Sequence, residues 1–184
     1  MKIAFVVFDG MTALDFIGVY DPMTRLKTMG FMPELAWDIC AHSQPVRDIA
    51  GLVFTPTRVG QSLAEYDMVI VPGGFGTRTL VKDTAFLEWL RTAEHSQKVS
   101  VCTGALLLAA AGFLNGKQAT THPAAFGELG ALGASVLPDR VVDRDGVITA
   151  RGVTAAIDLG LYLVEKLAGR EVRKRIRLQM DYQT

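Results

Sequence analysis

Cysteine is scarce: Cys40 and Cys102 are the only two in 184 residues. Two thiols cannot build a disulfide framework, and they lack the C-x-x-C spacing of a zinc or thioredoxin-like site. This usage fits a reducing compartment, so a cytoplasmic location is the expectation. Net charge is missing as well, because 19 basic residues balance 19 acidic ones. That removes the electrostatic footprint of a nucleic-acid or anionic-membrane binder, and leaves a small molecule or a second copy of the chain as the expected partner. Long apolar runs are also absent. The run from Ile3 to Phe8 stops at Asp9, too soon for a secretion signal, and the uncharged window from Val99 to Gly116 is broken by Ser100, Thr103, Gly104, Gly112 and Asn115. Histidine is limited to His42, His95 and His122, far apart in the chain, so no zinc centre is expected.

What the sequence does have is apolar mass. With 49% hydrophobic and 21% charged residues, residues 1–184 can bury one sizeable core, and no repeat or linker divides them, so one domain is expected. Lys2 to Phe8 is a short, continuously apolar, β-branched and aromatic run, the pattern of a strand covered on both faces, and Asp67 to Val71 and Lys98 to Val101 read as further buried core strands. Helical periodicity separates them. Phe16, Val19, Met23 and Leu26 recur over Asp15 to Met29, where Pro22 predicts a kink; Thr84 to His95 is a second helix; Thr103 to Phe113 is apolar all round; and Ile157, Leu161, Val164 and Ala168 mark a last long helix from Thr154 to Gly169. Further strands are expected over Glu34 to Ala41, Ala119 to Thr121 and Ala134 to Leu137, with hairpins around Asp48-Ile49-Ala50-Gly51 and Asp145-Gly146. The basic run Arg170, Arg173, Lys174, Arg175, Arg177 reads as a solvated helix face. Alternating strands and helices of this kind make an α/β three-layer sandwich, flavodoxin-like, with a mostly parallel sheet whose sites lie at the carboxyl ends of the strands.

Three chemically suggestive features fall at that edge. A buried strand passing straight into a helix through Cys102-Thr103-Gly104 has the layout of a nucleophile elbow, where a helix N-terminus favours thiolate; the alternative is a small buried core residue. Asp15 is either the N-cap of the first helix or a carboxyl in an apolar niche of Leu14, Phe16 and Ile17, kept protonated and able to act as a general acid beside Cys102. Gly73 and Gly74 are either plain turn residues or, with the N–H of Thr103, an anion hole, and the Thr103 hydroxyl is available to orient a water. His122, after a short strand, could reach the same edge and form a thiol and base pair with Cys102.

The segments DGMTALDFIG, DMVIVPGGFG, SVCTGALLLAAAGFL, ATTHP and DGVITARGVTAAIDLGLYLVEKLAG, in this order, resemble the ThiJ/PfpI superfamily of class I glutamine amidotransferase-like proteins across nearly the whole chain. Thr103 stands where the protease branch has histidine, and the C-terminal His and Glu pair of true amidotransferases is missing. Cys102-Thr103-Gly104-Ala105 with Leu14-Asp15-Phe16 and Ala119-Thr120-Thr121-His122 is most similar to the isonitrile hydratases. The resemblance implies that Asp15, Cys102 and Thr103 carry hydration of an isonitrile to a formamide through a thioimidate, without a cofactor. Gly18-Val19-Tyr20 and Pro123 depart from that family, and Arg25, Asp21 and Pro123 resemble the deglycase and redox-sensor branch, which has glutamate at the position of Asp15. A glyoxalase or deglycase acting on α-oxoaldehydes and a cysteine redox sensor are therefore the alternatives. The same elbow occurs in sensor domains of AraC-type regulators, which continue into a helix-turn-helix that residues 1–184 do not include. The superfamily also implies a homodimer through the first helix, with Phe16, Val19, Tyr20 and Met23 as its surface unless that stripe faces the core.

Overall fold

The computed structural model describes residues 1–183. Its strands are β1 (Lys2–Val6), β2 (Ala36–Ala41), β3 (Val46–Arg47), β4 (Val53–Phe54), β5 (Arg58–Val59), β6 (Met68–Val71), β7 (Gln97–Val101), β8 (Gln118–Ala119), β9 (Ser135–Val136), β10 (Val141–Arg144) and β11 (Val147–Ala150). Its α-helices are α1 (Ala13–Thr28), α2 (Thr77–Leu80), α3 (Thr84–Arg91), α4 (Gly104–Ala110), α5 (Phe126–Ala131), α6 (Ala155–Ala168) and α7 (Arg170–Gln179). Seven strands form the main sheet in the order β10-β11-β7-β6-β1-β2-β5, parallel except for the β10/β11 hairpin. Strands β1, β6 and β7, buried over most of their length, occupy its middle, where both faces are covered. Right-handed crossovers put α1 on one face and α3 and α4 on the other, because the chain moves outward from β1 in opposite directions. Helix α6 packs along α1, and α7 continues that layer. Among the described residues no helix is long and apolar enough to cross a membrane.

Several local details differ from the sequence expectation. Helix α1 begins at Ala13, with Thr12 as N-cap, so Asp15 lies inside its first turn and caps nothing. The helix runs unbroken past Pro22, whose ring sits against Gly160 of α6; a Cβ at Gly160 would come 2.5 Å from Pro22 Cγ. Close approach of α1 and α6 supplies the contacts that offset the missing backbone hydrogen bond. The stripe of Phe16, Val19 and Met23 faces the core and is buried, with Tyr20 half-buried against Phe5 and Phe16, so it is not a surface for a second copy. The apolar side chains that α1 leaves outside are Leu14 and Ile17, at 41% and 42% exposure. Helix α4 is buried on every side, as its composition requires, but ends at Ala110, where the chain turns through Gly112 at φ 92°. The basic run forms α7, mostly exposed and pinned by buried Ile176.

Candidate active site

Strand register brings the chemistry to one edge. Phe5 pairs with Ile70, Val71 with Ser100, and Val101 with Ala150, so β1, β6, β7 and β11 deliver their following loops side by side. Cys102 is the first residue past β7 and has φ 54°, a left-handed conformation that side chains other than glycine avoid. Hydrogen bonds on both sides hold it there: its N–H donates to Ala150 O at 3.0 Å and to Arg151 O at 3.3 Å, and its carbonyl accepts from the Thr121 hydroxyl at 2.7 Å. Two glycines make room for it. A Cβ at Gly104 would lie 2.3 Å from Val71 O, and one at Gly73 would lie 2.5 Å from Thr103 N and 2.8 Å from Cys102 Cβ. The elbow therefore packs directly on the Pro72-Gly73-Gly74 turn.

Asp15 reaches the elbow from α1 and is fully buried. Its Oδ2 accepts from Gly73 N–H at 3.0 Å, while Oδ1 has no hydrogen-bond partner. The Cys102 thiol is close enough to lower the carboxyl's proton affinity, without lying in hydrogen-bonding geometry to Oδ1. Burial dominates, and pushes the Asp15 pKa up to about 7. The expected niche of Leu14, Phe16 and Ile17 is not what does this: helix neighbours one and two residues away face elsewhere, and Leu14 and Ile17 point outward. The Gly73 turn and the elbow enclose the carboxyl instead.

The thiol departs from expectation in the same direction. Burial and the nearby Asp15 charge push the Cys102 pKa up to about 12, against a smaller downward pull from the Thr103 backbone N–H. A helix N-terminus that would favour thiolate in an open site is outweighed here by burial and by the carboxylate beneath. The anion hole also differs. Gly73 N–H is committed to Asp15, and Gly74 N–H donates to Thr103 Oγ1 at 2.9 Å, which in turn donates to Gly74 O at 3.1 Å. Only the Thr103 N–H, which acts on the thiol, remains of that trio. The Thr103 hydroxyl is a clamp between elbow and turn before it is a water holder.

Above the thiol opens a cleft of about 310 Å³ lined by Cys102, Thr103, Ile49, Phe75, His122 and Val153, with Arg78 at its mouth. Arg78 is tied to Glu128 at 2.8 Å. Asp15 does not line this cleft; it lies behind the thiol. His122 does reach the edge, but not as a base: its Nδ1 accepts from Ala124 N–H at 3.2 Å, so in the neutral ring Nε2 carries the hydrogen. His42 and His95 are elsewhere, and among the described residues no three His, Cys, Asp or Glu side chains could share a metal ion. Sequence reasoning missed Gly152, two residues past β11, where a Cβ would lie 2.3 Å from His122 Cδ2 and 3.1 Å from Cys102 Sγ. The strand-end rule, applied to β11 as it was to β1, β6 and β7, points to that loop.

Comparison with known proteins finds likeness in both sequence and fold. The model of the DJ-1/PfpI family matches residues 1–166. Isonitrile hydratase of Pseudomonas putida is 36% identical over 184 residues, covering 99% of this chain and 78% of that protein. The crystal structure of a ThiJ/PfpI family protein from Pseudomonas syringae superposes with a TM-score of 0.90 at 32% identity, over 100% of this chain and 75% of that one. DJ-1 of Schizosaccharomyces pombe superposes with a TM-score of 0.82 at 22% identity over the whole of both chains, a likeness of fold.

Proposed function

Since the chain belongs to the DJ-1/PfpI family, we propose that it hydrates isonitriles, R–N≡C, to N-substituted formamides, R–NH–CHO. One observation carries the reading: a fully buried carboxyl, Asp15, with an oxygen lacking any partner, lies behind a strained cysteine at the floor of a largely apolar cleft. Among electrophiles suited to a thiol, an isonitrile reacts at a bare terminal carbon, which can seat against Sγ and come within reach of a carboxyl that does not line the cleft. An α-oxoaldehyde would instead develop an alkoxide on adding to the thiol, and the Gly73 and Gly74 N–H groups that would meet it are already engaged. A redox sensor reacts through a standing thiolate, which burial and the Asp15 charge disfavour, whereas the isonitrile reaction uses the thiolate together with the acid formed beside it.

In this scheme the resting pair holds one proton, on sulfur. Ionised Asp15 takes it, creating thiolate and acid together. Sulfur bonds to the isonitrile carbon as Asp15 delivers the same proton to that carbon, giving the thioimidate R–N=CH–S–Cys102. Asp15, again ionised, takes a proton from water as the water oxygen adds to the carbon. Nitrogen gains that proton, the hydroxyl proton returns to sulfur, and the C–S bond breaks to release the formamide. Thr103 keeps the elbow seated on the glycine turn throughout.

A second copy of the chain is the partner we place against Leu14 and Ile17 of α1 and Ile49, Leu52 and Val53 of the β3/β4 hairpin, all 41% exposed or more. The hairpin is joined to the start of α1 by the Ile49 N–H to Met11 O bond at 3.0 Å. The test of function is formamide production from cyclohexyl and para-nitrophenyl isonitrile by wild type, Cys102→Ala and Asp15→Ala. Turnover by wild type alone supports the reading; no formamide from wild type with Cys102 reduced overturns it.

A further inference from the structure

His122 is a polar side chain of the cleft whose chemistry the scheme above leaves idle, and unlike Arg78, which is tied to Glu128, it has no side-chain partner. It sits at the N-terminal turn of a short 3-10 helix, Pro123–Ala125, whose N-cap it is. The capping bond fixes its tautomer, because a nitrogen that accepts from Ala124 N–H at 3.2 Å cannot also hold a proton. The free N–H is therefore Nε2–H, and a ring in this state can donate to a substrate but cannot take the thiol's proton.

The orientation of the ring is set from the other side by Gly152. The position a Cβ would occupy there is 2.3 Å from Cδ2 of His122 and 3.1 Å from Sγ of Cys102, so imidazole and thiol border the same small space. Gly152 has no positive φ that would demand glycine. What it supplies is room, and the ring atoms that occupy this room are Cδ2 and, at 3.2 Å, Cγ. The ring lines the cleft beside Cys102 with Nε2 as its free donor, whereas Nδ1 is turned to the backbone.

A hydrogen-bond donor at this place has one atom to serve. Once carbon is joined to Sγ, the next atom of the substrate is nitrogen, and nitrogen takes up the electron pair of the C=N bond when water adds. We propose that His122 is a catalytic hydrogen-bond donor to the substrate nitrogen in the hydration half of the reaction, and that Gly152 is the positioning residue that admits its ring. The proposal rests on the isonitrile reading. In it, the oxygen of water bonds to the thioimidate carbon, the π pair moves to nitrogen, and the proton that nitrogen finally gains is the one Asp15 took from water. The Nε2–H bond holds the developing charge meanwhile and is not itself broken.

The two roles of His122 can be separated by substitution. His122→Asn retains a side-chain oxygen to cap Ala124 N–H but has no donor at the Nε2 position, whereas His122→Gln places an amide nitrogen near that position. With cyclohexyl isonitrile, His122→Asn is expected to lose about 10²-fold in kcat, the usual scale for a transition-state donor. Intact-protein mass spectrometry should then show Cys102 carrying the added mass of one isonitrile, because addition proceeds and hydration stalls. His122→Gln should recover part of the rate, and Gly152→Ala should slow turnover with no further loss when combined with His122→Asn. Turnover by His122→Asn within about threefold of wild type, or slow turnover without the accumulated adduct, overturns the inference while the isonitrile reading stands. Wild type that forms neither formamide nor adduct overturns both.

Discussion

Asp15 and Cys102 oppose each other's ionisation. Burial pushes the carboxyl from 3.8 to about 7, and burial together with the Asp15 charge pushes the thiol from 9.0 to about 12. Two acids so coupled lose their protons as a pair, the first near neutrality and the second far above it. Between those limits the pair holds one proton, and moving it from sulfur to carboxyl turns an inert thiol into a nucleophile with an acid beside it.

The pH dependence of catalysis follows from that inventory. Below about pH 7 the pair is doubly protonated and Asp15 cannot accept the thiol's proton. We expect kcat/KM for formamide formation to rise with pH up to about 7 and then level off, with no fall before the strongly alkaline range where the thiol itself ionises near 12. A profile that falls through neutrality would mean the doubly protonated pair is the active one. Initial rates between pH 5 and pH 9 in buffers of constant ionic strength, about 0.1 M so that exposed charges are screened, decide between them.

Removing the Asp15 charge should make the thiol more reactive and the enzyme less active. Asp15→Asn deletes the carboxylate that raises the Cys102 pKa, so alkylation of Cys102 by iodoacetamide at pH 8 should be faster than in wild type by about tenfold, the factor that one pKa unit carries. Formamide production should fall to background in the same variant. Peptide mapping of the alkylated protein, with buried Cys40 as the internal reference, measures the first effect.

Stability should carry the opposite imprint. A carboxyl whose folded pKa is raised contributes stability that is complete below its unfolded value of 3.8 and is lost as pH rises through about 7. The loss is on the order of 4 kcal/mol, from about 1.4 kcal/mol per pKa unit. Urea denaturation should therefore show Asp15→Asn gaining on wild type from about pH 4 to about pH 7 and levelling off above that. A constant difference across that range would place the carboxyl in contact with water.

The strand edge was legible in the sequence; the distances across it were not. Ile3 to Val6 and Met68 to Val71 are apolar on both faces and Val99 to Val101 is buried on both, and a doubly covered parallel sheet follows from such runs. The turn from β7 into α4 then places Cys102 at the site edge without further information. Asp15 came with it, but its surroundings did not, because its neighbours along the helix point away and its true contact, Gly73, is 58 residues distant. For Gly152 the strand-end rule reaches only its loop, since its role lies in a space shared by two distant side chains. Helix α5, Phe126–Ala131, was invisible for a local reason: Gly127 and Gly130 give it poor intrinsic propensity, and its formation rests on buried Leu129.

The interface is tested by charge. Leu14→Asp and Ile17→Asp alter exposed positions on α1 outside the core, so both variants should fold. Sedimentation equilibrium at micromolar concentration should give a dimer for wild type and a monomer for the double variant. A wild-type monomer removes the interface, and a double variant that remains dimeric moves it elsewhere.

The central claim is a covalent bond between Cys102 and the isonitrile carbon with Asp15 supplying the proton. Rapid acid quench of wild type and Cys102→Ala during turnover of cyclohexyl isonitrile, followed by peptide mass mapping, reads it directly. The account predicts one isonitrile mass on the Cys102 peptide of wild type during turnover, and neither adduct nor formamide from Cys102→Ala. Formamide from wild type with no adduct at any quench time, together with undiminished turnover by Cys102→Ala, would contradict it.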